Sequence, residues 1–168
     1  MSLELFLERL TPVLAFARTL DVNDPSAAKA ALDVAFPMDG DAMKELRALV
    51  RRGVEERWLA EREAGGVRFS RPRKAQDTSD VSTGSAGSAA DLSVDVVHMD
   101  RPGPGHTHPN GEIDLCFAVS GEPRFDGAPE GWTVYPPRSW HVPTVEGGVM
   151  DIVYFLPAGA IRFEPKPE

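Results

Sequence analysis

Cysteine is almost missing from this chain: Cys116 is the single one among 168 residues. That excludes an intramolecular disulfide and any CxxC metal site, and it suits a reducing compartment, so a cytoplasmic protein is expected. No run approaches the ~20 consecutive apolar residues of a membrane helix. The opening Met1-Ser2-Leu3-Glu4 lacks a basic stretch followed by an apolar one, so no secretory signal or membrane partner is predicted. Positive charge is also short, with 18 Lys and Arg against 26 Asp and Glu and a formal net charge of −8. Nothing there supplies a basic face for phosphates, which excludes nucleic acid as a partner. Histidine is scarce too. Of only four, His106, His108 and His141 lie in the second half of the chain, beside glycines and prolines.

What is present is ordinary globular material, 42% hydrophobic and 26% charged, at a length that suits one domain. The first ~60 residues read as helix. Leu3, Phe6, Leu7, Leu10, Leu14 and Ala17 form one stripe, with a kink or restart expected at Pro12. Asn23 to Ser26 reads as a loop before a short helix, Ala27 to Val34. A third helix, capped by Asp39 or Asp41, carries Met43, Leu46, Leu49, Val50, Val54 and Trp58 on its apolar side and is closed by Gly65-Gly66. Glu55, Glu56, Arg57, Glu61 and Arg62 read as its solvated face, without chemistry. Residues 67–71 alternate as a strand, and Asp77 to Ala90 reads as a long loop.

Beyond Leu92 the pattern changes to short β-rich runs at Leu92–Met99, Ile113–Val119, Gly131–Tyr135, Val149–Leu156 and Ile161–Phe163. Turns are expected between them, including Gly121–Pro123 and Gly147-Gly148. Such spacing predicts an antiparallel sandwich or barrel. The expected organisation is a helical segment over residues 1–64, a strand and loop over 65–90, and a barrel over 91–168.

Gly105-His106-Thr107-His108-Pro109-Asn110-Gly111-Glu112 is the informative segment. Residues two apart on an extended chain share a face, so both imidazoles can reach one point. A Pro-Asn-Gly turn can return Glu112 to it, and His141 stands after a second proline turn. Two imidazoles and a carboxylate suit Zn, Fe, Mn or Ni and leave positions open for a substrate. A lone histidine is usually a packed or turn residue, but three at ligand spacing with a glutamate favour metal. His98 has no such spacing and reads as a structural residue.

H-x-H-x3-E followed by Gly131-Trp132-Thr133-Val134-Tyr135-Pro136-Pro137-Arg138-Ser139-Trp140-His141 resembles the two metal-binding motifs of the cupin superfamily. The resemblance implies a double-stranded β-helix (jelly-roll barrel) preceded by about three α-helices, with His106, His108, Glu112 and His141 as ligands. It departs in one place: Gly121 follows Glu112 by nine residues, where the motif has about seven. The chain is also similar in overall texture to the 4-hydroxylaminobenzoate lyases of bacterial nitroaromatic degradation. That likeness implies conversion of 4-hydroxylaminobenzoate to 3,4-dihydroxybenzoate and ammonia, and the fold family implies a homodimer. A cupin dioxygenase or isomerase, or a non-catalytic small-molecule-binding cupin, are the alternatives.

Such a substrate needs an acid, a water and a cation for its carboxylate. Glu112 and Asp114, two apart on one strand, are the candidates for proton transfer, and Cys116 continues their period without a basic neighbour. Arg138 is the candidate carboxylate partner, with Arg71, Arg73 and Lys74 as rivals. Trp140 and Tyr135 are candidate substrate walls, with Trp132, Phe117 and Tyr154 as further aromatic candidates, and for any one of the five barrel core is the favoured reading.

Overall fold

The computed structural model describes residues 2–76 and 91–168. The loop expected over Asp77–Ala90 falls outside them. Three helices come first: α1 (Ser2–Ala17), α2 (Pro25–Ala35) and α3 (Asp41–Glu55). Pro12 lies within α1, which runs through it as one helix. Asp24 caps α2 by accepting the Ala27 N–H, with Pro25 pre-set at the first helical position. Neither Asp39 nor Asp41 caps α3; the N-cap is Gly40, without a side-chain bond. Nor does α3 reach Gly65-Gly66. It ends at Glu55, and left-handed Arg57 and Ala60 turn the chain away, tied by the Trp58 and Leu59 N–H groups to the Gly53 carbonyl.

Nine strands follow among the described residues: β1 (Arg62–Ala64), β2 (Val67–Arg73), β3 (Leu92–Met99), β4 (His106–His108), β5 (Glu112–Phe125), β6 (Gly131–Tyr135), β7 (Ser139–His141), β8 (Val145–Pro157) and β9 (Arg162–Phe163). Gly65-Gly66 make the tight β1–β2 turn, both at positive φ, where a side chain would strain the backbone. The six-stranded sheet has the order β1-β2-β3-β8-β5-β6 and a three-stranded sheet the order β7-β4-β9, and every pairing is antiparallel. Two such sheets with an N-terminal helical layer form the cupin-type barrel that the sequence predicts.

The large sheet has two apolar faces, because alternate residues point to opposite sides. One carries Val94, Val96, Ile113, Leu115, Phe117, Trp132, Val153 and Phe155 and packs against Phe6, Leu10, Leu32, Met43, Leu46 and Val50 of the helices. The other carries Val97, Met99, Cys116, Met150, Ile152 and Tyr154 into the barrel. Trp132 and Phe117 are therefore not site walls: Trp132 donates its indole N–H to the Phe36 carbonyl at 3.0 Å, and Phe117 lies under the Arg47 guanidinium.

Two expected turns are absent. Gly121 and Gly148 pair with each other inside the long β5 and β8 strands, where the register shifts on either side. A Cβ on Gly148 would overlap the Ser120 carbonyl oxygen, so the glycine permits a bulge with closely approaching backbones.

Candidate metal centre and cavity

Strand β4 pairs with β7 so that His106 lies opposite His141, and the start of β5 brings Glu112 beneath His108. Ligand atoms of His106, His108, Glu112 and His141 all lie within 4.8 Å of one another. His106 Nε2 is 2.9 Å from His108 Nε2 and 3.1 Å from His141 Nε2, and His108 Nε2 is 3.0 Å from Glu112 Oε2. His106, His108 and Glu112 are buried.

The far nitrogen of each ring decides what those Nε2 atoms carry. His106 Nδ1 faces the Pro104 carbonyl at 3.0 Å, which can only accept. His141 Nδ1 faces the Asp126 carboxylate at 2.6 Å. His108 Nδ1 faces Ser139 Oγ at 2.9 Å, and that hydroxyl already gives its proton to the Pro136 carbonyl. Each Nδ1 is thus assigned as the N–H donor, which leaves three Nε2 lone pairs aimed at one another. Burial pushes the His106 imidazole below its usual pKa, which keeps it neutral. Lone pairs at such separations repel unless a cation lies among them. Both Glu112 oxygens also lack a hydrogen-bond donor. The donor set fits a divalent transition metal.

Asp114 follows Glu112 on the same face of β5 and is fully buried, with neither oxygen receiving a hydrogen bond from a fixed donor. Burial, with the Glu112 charge added, pushes its carboxyl well above the usual range. Asp114 thus stands beside Glu112 with its protonated form favoured. Burial also raises the Cys116 thiol and keeps it inert.

The other candidate residues divide. Tyr135 lies against the cluster, its ring centroid 4.5 Å from that of His141 and 5.1 Å from that of His108. Burial raises its hydroxyl pKa, and the hydroxyl donates to Asp126 at 2.5 Å. Trp140 lies one residue before His141 and faces the opposite side of β7. It covers Gly105 and donates to the Glu164 carbonyl at 2.9 Å. Arg138 is exposed at a left-handed turn, where its backbone N–H donates to the His108 carbonyl. The structure brings neither Trp140 nor Arg138 to the space beside the histidines. Arg73 is occupied elsewhere, holding Asp91.

Asp126 is the residue that sequence reasoning misses. It sits at positive φ in the turn after β5, and its carboxylate accepts from His141, Tyr135 and the Thr144 N–H. Burial would raise its pKa, but these donors outweigh that and lower it. The only local signal is Asp126-Gly127, which marks a turn and nothing more.

His106 also borders a cavity of about 540 Å³ between the sheets. Its walls are mainly apolar, including Val67, Phe69, Val97, Met99, Tyr154 and Phe163, with Arg62, Arg71 and Asp95 as the charged members.

The family model described as PnbB, 4-hydroxylaminobenzoate lyase, matches residues 11–163. The chain belongs to this family. Curated relatives named 4-hydroxylaminobenzoate lyase come from Nocardioides sp. (strain LMS-CY) and Pseudomonas putida, each 28% identical over 144 residues. The first alignment covers 81% of this chain and 80% of the relative, the second 75% and 76%. Among solved structures, salicylate 1,2-dioxygenase from Pseudoaminobacter salicylatoxidans aligns at 14% identity with a TM-score of 0.41, over 71% of this chain and 36% of that one.

Proposed function

We propose that this chain is a metal-dependent lyase of a small aromatic acid, converting 4-hydroxylaminobenzoate and water to 3,4-dihydroxybenzoate and ammonia. The observation that carries this reading is the convergence of three imidazole lone pairs and an unsatisfied glutamate beside an apolar cavity of ring-holding size. Membership of the lyase family supplies the substrate class.

The reaction exchanges the nitrogen substituent for ring oxygen without an external oxidant. The N–O bond breaks and carries its electron pair away with the hydroxyl, new C–O bonds form at the ring, and the carbon–nitrogen bond is hydrolysed. One water is consumed overall. His106, His108, Glu112 and His141 would hold a divalent cation, which supplies Lewis acidity and lowers the pKa of bound water. Asp114 holds a proton beside Glu112 and can deliver it where the departing hydroxyl needs one, then take one back from attacking water. Tyr135 and Asp126 orient His141, and the apolar walls keep bulk water from the ring.

The test is direct. Metal-replete protein is given 4-hydroxylaminobenzoate, and ammonia and 3,4-dihydroxybenzoate are measured. Both should form in equal amounts, and His106→Ala should abolish them. No product from metal-replete protein overturns the lyase reading, and oxygen uptake with catechol-type substrates in its place would assign a dioxygenase.

A further inference from the structure

The cavity contains two cations, and only one of them is uncommitted. Arg71 lies on its wall, but its guanidinium forks onto Asp95 at 2.6 and 3.0 Å and also donates to the Gly159 carbonyl at 3.3 Å. An incoming anion at Arg71 would meet the Asp95 carboxylate already in place. Arg62 differs. Its side chain makes no hydrogen bond or ion pair among the described residues, although it lines the same cavity.

The sheet register fixes where Arg62 points. Arg62 pairs with Phe69, and Phe69 with Val97, so the three side chains stand in one row on one face. Phe69 and Val97 line the cavity, as does Arg62. Strand β1 is the exposed edge of the sheet, which sets the guanidinium at the solvent end, while His106 closes the metal end. The same cavity is walled by the apolar side chains of Phe69, Val97, Met99, Tyr154 and Phe163. An apolar passage with a free guanidinium at one end and a lone-pair cluster at the other matches a flat ring with a carboxylate on one side and its reacting group opposite.

We propose that Arg62 receives the carboxylate of the aromatic acid, making it the residue that selects for acids over neutral rings. The assignment rests on the aromatic-acid reading above and names its carboxylate subsite. Arg71, locked by Asp95, forms the adjoining wall. The planar guanidinium can bind a carboxylate through two parallel hydrogen bonds, which a lysine at the same place cannot reproduce.

The experiment compares 3,4-dihydroxybenzoate with catechol, the same ring without the carboxylate, by calorimetric titration of the full-length, metal-loaded protein. Wild type should bind the acid more tightly than catechol. Arg62→Ala should weaken the acid by about 10–100-fold and leave catechol unchanged, with Arg62→Lys intermediate. Arg62 is exposed on an edge strand, and circular dichroism checks that the variants fold. Equal loss for both ligands would make Arg62 structural and overturn the proposal. So would an unchanged affinity for the acid, or a wild type without preference for it. Binding needs no turnover, so the two readings fail separately. Arg62-dependent acid binding without ammonia release removes the lyase reading alone, and turnover with an unchanged KM in Arg62→Ala removes the subsite alone.

Discussion

Asp126 and His141, fifteen residues apart, are joined by a 2.6 Å hydrogen bond from His141 Nδ1 to the carboxylate, and the same Asp126 oxygen accepts the Tyr135 hydroxyl. The pair fixes the tautomer and direction of one ring in the cluster. Carboxylate partners of metal-binding histidines typically change metal affinity by about 10–100-fold when removed. Asp126→Asn should therefore weaken metal binding by that order while the fold persists, as read by metal competition with a chromophoric chelator. An unchanged affinity would separate Asp126 from the metal centre.

Asp114 has no fixed hydrogen-bond donor, and Glu112 is the foremost of the acidic groups acting on it, ahead of Asp126 and Asp95, so its replacement should be felt in chemistry rather than in binding. Asp114→Asn is expected to lower kcat by about 10²–10⁴-fold with KM nearly constant. Because asparagine removes a buried acid, thermal stability should not fall. A drop in KM and kcat together, or a collapse of the melting temperature, would argue for a packing role.

On the helix-facing side of the sheet, Asp151 accepts from His98 at 2.6 Å and lies 3.0 Å from Arg51 of α3. The carboxylate is nearly fully buried. Asp151→Ala strands two basic groups against the helical layer and should cost about 3 kcal/mol in urea unfolding. Activity per folded molecule should survive, since none of the three residues reaches the barrel interior.

Asp91 joins α1 to β2 by accepting from Arg18, Arg73 and the Gln76 N–H. Burial alone would raise its pKa, but these donors prevail and lower it to about 2. The unfolded value is ~3.9, so the unfolded chain takes up the proton first as pH falls. The stabilisation is complete above about pH 5 and is lost as pH drops through about 2. Allowing for partial exposure of the arginines, it is worth about 1–2 kcal/mol. Asp91→Asn should remove that acid-limb slope from the curve of stability against pH.

The histidine–glutamate cluster was legible because its signal is local. His106 and His108 share a face by strand alternation, and a three-residue turn returns Glu112. Asp126 was not, since its partners come together only when β6 pairs with β5 and β7 takes its place in the second sheet. Arg62 was given the wrong element: extending the third helix to Gly65 placed it on that helix, whereas left-handed Arg57 and Ala60 break the helix and Arg62 opens β1, still exposed. Gly121 and Gly147-Gly148 resemble turns in composition, but bulges use glycine for the same backbone freedom. Trp140, offered as a substrate wall, is adjacent to His141 on β7 and so faces the other side of that strand, while Trp132 takes the core position that its aromatic ring also suited.

The two-sided covering of the large sheet restricts how the chain can change length. Between Ile113 and Phe117, odd positions hold up the helices while Asp114 and Cys116 look into the barrel. Inserting one residue there would present leucine and phenylalanine to the histidines and an aspartate to the helical core. Inserting two would not. The interval from Glu112 to Gly121 exceeds that of the motif it resembles by two, the smallest extension that leaves every side chain on its own side. The bulge at Gly121 is then where any odd residue could be absorbed, so drift in length should collect there and spare the first five residues of β5.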